Sequence, residues 1–69
     1  MTPADLTSAQ HALGLSDARF AHWVNVSDGS TVRKWKRGDR DIPGPVQVLV
    51  KAALESAEVR SYFGLKLAT

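Results

Sequence analysis

The chain has 69 residues, a formal net charge of +2 and no cysteine, so it can hold one small core burying about 60% of the surface its unfolded chain exposes, without disulfides or thiolate metal ligands. It contains no apolar run near the ~20 residues needed to cross a bilayer, and its start, MTPADLTS, lacks the basic and apolar stretches of a signal peptide, so a cytoplasmic location is expected. His11 and His22 are too few and too scattered for a metal site, no cofactor is expected, and no nucleophile elbow, paired acidic site or phosphate loop points to an enzyme.

The chain shows no strand-like alternation and no repeat, and its punctuation predicts an all-α fold of four to five short helices. Thr2, Pro3 and Asp5 make a capping box with proline in the first helical position, and Leu6, Ala9 and Leu13 then recur on one face of a helix over residues 3–12. Gly14 supplies a left-handed exit and Leu15 packs back. Ser16 caps a second helix, with Asp17 in its first turn as the sign the helix dipole favours. Phe20, Ala21 and Val24 form its inner face, and it ends at Asn25, the residue that after glycine best tolerates positive φ.

Residues 26–29 make a turn that buries Val26 and exposes Ser27, Asp28 and Gly29, and Ser30 is expected to cap a third helix over residues 30–38. Val32 and Trp35 point inward there, leaving Thr31, Arg33, Lys34 and Arg37 on the other faces. Beyond Ile42-Pro43, Gly44-Pro45 opens a long helix in which Val46, Leu49, Val50, Ala53 and Leu54 complete the i, i+3, i+4, i+7, i+8 pattern. Residues 58–63 suggest a short fifth helix closed by Gly64. The expected organisation is a helix-turn-helix domain over residues 1–57 and a tail over residues 58–69.

Arg33, Lys34, Lys36, Arg37 and Arg40 place five of the nine basic residues within eight positions, with Asp39 as the one acid among them. Such a cluster is the footprint expected for a phosphate backbone, although a solvated helix face looks the same. The turn and helix start immediately before it have helix-turn-helix spacing, which favours DNA contact.

Residues 13–50, LGLSDARFAHWVNVSDGSTVRKWKRGDRDIPGPVQVLV, resemble the helix-turn-helix of the lambda-repressor-like, Cro-type family of phage and bacterial regulators, and the resemblance extends over residues 6–54. Its carriers are Leu15-Ser16, Ala21 where two helices cross, Val26 in the turn, Val32, Trp35, Gly38 and the link from Ile42 to Pro45. Asn25 stands where the family usually has glycine. The segment between Val26 and Val32 is one residue longer than in the commonest members, which implies a bulge at Asp28-Gly29 and a shifted start of the third helix.

The resemblance implies a phage or mobile-element repressor that binds double-stranded DNA as a homodimer, reading an inverted repeat with half-sites ~34 Å apart, with autoregulation typical of such single-domain members. Ser30 and Thr31 would approach base edges, and Arg33, Lys34 and Arg37 would reach bases or flanking phosphates, with Arg33 and Lys34 the leading base readers because both donate to the major-groove acceptors of guanine. Lys36 and Arg40 are expected to attract the backbone without reading sequence. The amides after Ser16 could receive a phosphate, with Asp17 opposing that charge and Arg19 compensating it. Neither a membrane nor a small-molecule substrate is expected, and the chain is too short for a separate ligand-sensing domain.

Trp35 is expected in the core, packing the third helix onto the fourth, and Trp23 beside the inner face of the second helix as a partly exposed anchor. The tail residues Val59, Tyr62, Phe63, Leu65 and Leu67 either fold over the helices or make an isologous dimer contact, for which Tyr62, Phe63 and Leu65 are the candidates. The alternative function is a protein-interaction module, antitoxin-like or polymerase-binding, that uses this apolar tail while the cations only solubilise it.

Overall fold

Five helices follow one another in the computed structural model, which describes residues 1–67: α1 Pro3–Ala12, α2 Asp17–Trp23, α3 Gly29–Arg37, α4 Gly44–Glu55 and α5 Ala57–Phe63. The final two residues of the expected 58–69 tail lie outside the described residues. The described residues contain no strand, and the chain is an all-helical bundle.

Local chemistry sets most helix ends. The Thr2 hydroxyl accepts the Asp5 amide at 3.1 Å while the Asp5 carboxylate accepts the Thr2 amide at 2.9 Å, so two otherwise unpaired donors at the start of α1 are satisfied reciprocally. Ser16 caps α2 by accepting the Arg19 amide, and Ser56 caps α5 by accepting that of Val59. Gly14, Gly38 and Gly64 take left-handed exits at φ 66°, 80° and 70°, and Asn25 does the same at φ 63°. There the chain leaves α2 with the Val26 amide donating back to the Ala21 carbonyl at 2.9 Å.

One expected cap is corrected. Asp28, not Ser30, starts α3: its carboxylate accepts both the amide and the hydroxyl of Ser30. The helix therefore covers Gly29–Arg37 rather than residues 30–38, with Gly38 as its C-cap. The acidic side chain is the stronger competitor for the first-turn amides because it is a charged acceptor at the positive end of the helix dipole.

Gly29 is also buried, not exposed in the turn as the sequence suggested. A Cβ built there would meet the Asp17 Cβ at 3.1 Å and the backbone of residues 17 and 18 at 3.2 Å. The first turn of α3 thus lies directly against the first turn of α2, and a side chain at residue 29 would require those neighbours to give by a few tenths of an ångström. Gly29→Val is expected to lower stability by about 1–3 kcal/mol through overpacking, to be read as a fall in Tm. A Tm at or above that of the parent would refute the close approach.

A single core joins Leu6 and Ala9 of α1, Phe20 and Ala21 of α2, Val32 and Trp35 of α3, Ile42 of the link, and Val46 and Val50 of α4. Within α1, α3 and α4 these positions recur at three or four residues, which turns one stripe of each toward the same centre, while α2 contributes the adjacent pair Phe20 and Ala21. α3 packs on α2 and α1, whereas α4 packs on α1 and α5. Trp35 accordingly shares the core with Val46 and Val50, but α1, not α4, is the main support of α3 besides α2.

α5 contributes no buried residue, and polar and aromatic contacts hold it. The Arg60 guanidinium donates to the carbonyls of Ala53 and Leu54 at 2.8 and 3.0 Å, closing the C-terminal end of α4. Phe63 meets the Trp23 ring edge to face, with centroids 5.7 Å apart, and Trp23 in turn meets Phe20 at 5.6 Å. Part of the tail therefore folds over the chain's own helices, and Trp23 is half-buried between two aromatic neighbours. Tyr62 remains 83% exposed.

Candidate nucleic-acid interface

α2, the turn at residues 24–28 and α3 make the closest helix pair of the fold, and one carboxylate locks it. Asp17, in the first turn of α2, accepts a hydrogen bond from the Lys36 ammonium at 2.6 Å and one from the buried Gln10 amide at 2.8 Å. The Arg33 guanidinium lies 3.6 Å from its other oxygen. Three helices thus converge on a single side chain. The hydrogen bond from Lys36, then that from Gln10 and the nearby positive charge of Arg33, hold the Asp17 carboxyl below its ordinary range.

This changes the role expected for Lys36. Its position four residues after Val32 puts it on the same stripe of α3, turned toward α2, and its half-buried ammonium is committed to Asp17. Asp17 likewise does not stand as an unopposed negative charge at the start of α2. The sequence carried a signal for the pair, since Gly29, Val32 and Lys36 share one helix face, but nothing in it says which carboxylate that face meets.

Asp17→Asn is expected to lower stability by about 1 kcal/mol near neutral pH, the pair being partly solvated and so worth less than a fully buried one. The depressed folded-state value makes this contribution complete above the unfolded-state range near pH ~4 and lost as pH falls through the lower folded value. The parent should therefore lose stability more steeply than the variant between about pH 5 and pH 2 in thermal unfolding scans. Parallel curves would remove Asp17 as the acid-sensitive tie.

With ~100° between successive residues, Ser30, Arg33, Lys34 and Arg37 fall within one outward arc of about 100°, and the structure leaves Arg33 and Arg37 exposed and Ser30 and Lys34 half-buried. Arg37 pairs with Asp39 at 3.0 Å, both side chains being more than half exposed, and such a surface pair opens at little cost. Lys34 makes no ion pair among the described residues. Thr31, half-buried, sits at the edge of the arc toward Trp35. The Ser30 hydroxyl is occupied as a donor to Asp28, whose carboxyl that bond and the Ser30 amide hold below its ordinary range. Arg40 is exposed in the loop after α3.

Arg19 does not join this arc. Asp17, Phe20 and Ala21 turn one side of α2 toward the rest of the bundle, and Arg19 lies on the other side with His22, lining a groove against the C-terminal segment. The dimer candidates are divided as well. Phe63 is partly covered by Trp23, Leu65 is half-buried, and Tyr62 is the exposed member.

No family model, no curated protein and no solved structure matches the chain. Among the described residues no helix is long and apolar enough to cross a membrane, and no group of three His, Asp or Glu side chains is placed to hold a metal ion.

Proposed function

We propose that this chain is a sequence-specific DNA-binding regulator of the lambda-repressor-like, Cro-type kind, not an enzyme, and that α3 enters the major groove. The observation that carries the reading is the outward arc of α3, where Arg33, Lys34 and Arg37 stand together on a helix held rigidly from behind by Gly29, Val32, Trp35 and the Lys36–Asp17 pair. A helix fixed on its inner face and cationic on its outer one meets the first requirement for reading base edges. In this reading Arg33 and Lys34 contact bases, Ser30 and Thr31 lie at the groove floor, and Arg37 and Arg40 draw in phosphates. Lys36 is withdrawn from that set because it braces the helix.

The proposed regulator is a cytoplasmic phage or mobile-element repressor that acts as a homodimer on an inverted repeat and controls its own small operon. Exposed Tyr62, with Phe63 and Leu65 beside it, is the surface through which two copies would meet. The same exposed tyrosine favours a second reading, in which the tail captures another protein. Selection of bound duplexes from random DNA at stated near-physiological salt separates the two. Enrichment of an inverted repeat with half-sites ~34 Å apart supports the regulator. No enrichment, with binding that vanishes as salt rises, removes it.

A further inference from the structure

Outside the α3 surface, a groove of about 840 Å³ lies between the C-terminal end of α1, the outer side of α2 and the C-terminal segment. Its walls are apolar and aromatic, with Leu13, Leu15, Trp23 and Phe63 prominent. Arg19, His22 and Lys66 supply its ionisable groups, and none of the residues lining it is acidic. The Nε1 hydrogen-bond donor of Trp23, which forms part of the wall, is buried without an acceptor among the described residues.

We propose that this groove binds a small monocarboxylate with an apolar body. Charge complementarity selects the anion: Arg19 and Lys66 line the groove from different segments of the chain, and a guanidinium and an ammonium are donors suited to a carboxylate. The apolar walls select the body. The volume selects a small molecule over a protein, since ligand pockets span ~300–1,000 Å³, whereas a stable protein interface draws on about 20–30 residues a side and twelve line this groove.

The proposal is independent of DNA binding and is tested without DNA. Decanoate is titrated into the ¹⁵N-labelled chain, with decanol as the uncharged control, and the two tryptophan indole signals are assigned through Trp23→Phe. Decanoate is expected to bind saturably at one site and to move the Trp23 indole signal while that of buried Trp35 stays in place. Decanol should bind at least about tenfold more weakly, and Arg19→Ala combined with Lys66→Ala should weaken decanoate by a similar factor, since the charged contacts are what they lack. Both cations being exposed, that variant should keep the parent Tm. A stationary Trp23 signal, equal binding of decanol, or undiminished binding by the double variant would each overturn the assignment.

Discussion

Phe20→Ala is expected to unfold most of the protein at room temperature. Phe20 is fully buried, it lies in α2 at the centre of the core shared by four helices, and its ring is one wall of the edge-to-face stack with Trp23. Truncating a buried phenylalanine costs about 3–5 kcal/mol in lost transfer energy and unfilled cavity. A single core in a chain of this size rarely supplies more than ~3–5 kcal/mol in total. Removal of Phe20 therefore consumes nearly all of it. Circular dichroism should show the loss of most helical signal and of a cooperative melt, while Phe20→Leu, which keeps most of the volume, should retain both at a reduced Tm. A cooperative Phe20→Ala melt within a few degrees of the parent would contradict the packing described.

The second large effect concerns the outer face of α3. Substituting Arg33, Lys34 and Arg37 together by alanine is expected to abolish binding to the selected duplex. Each base-reading cation should be worth about 1–3 kcal/mol and each phosphate contact a unit of salt dependence. The single variants then sort the roles. Lys34→Ala, which breaks no ion pair among the described residues, should weaken the preferred sequence more than a scrambled one at unchanged Tm. Arg37→Ala should weaken both alike and flatten the dependence on salt. Lys36→Ala should instead lower Tm, because it leaves Asp17 short of its main partner. Equal and small losses from all of these would favour the protein-interaction reading, in which Tyr62→Ala is the damaging change.

Much of the architecture was legible from residue types at short separation. The capping box at Thr2 and Asp5, the glycine exits and the positive φ at Asn25 are decided within a few residues of chain, where side-chain oxygens and steric limits on φ act directly. The apolar stripes of α1 and α4 likewise announce their buried faces, since Leu6, Ala9, Val46, Val50 and Ala53 are all buried. Ser30 shows the limit even of local reading. Asp28, expected only as an exposed turn residue, accepts the Ser30 amide and caps the helix in its place.

The sequence by itself determined that this protein is helical, where its helices turn inward and that its cations crowd around one of them, because each of these depends on periodicity and on contacts at separations of two to five residues. Only the tertiary structure decided that Gly29 is the seam between α2 and α3, that Lys36 braces α3 against Asp17, and that Arg60 and Phe63 fasten the tail to α4 and Trp23. Most of those contacts join residues far apart along the chain, and the Arg60 bonds cross from one helix to the next. Their partners are selected by how the packed helices cross, not by any pattern within a single helix.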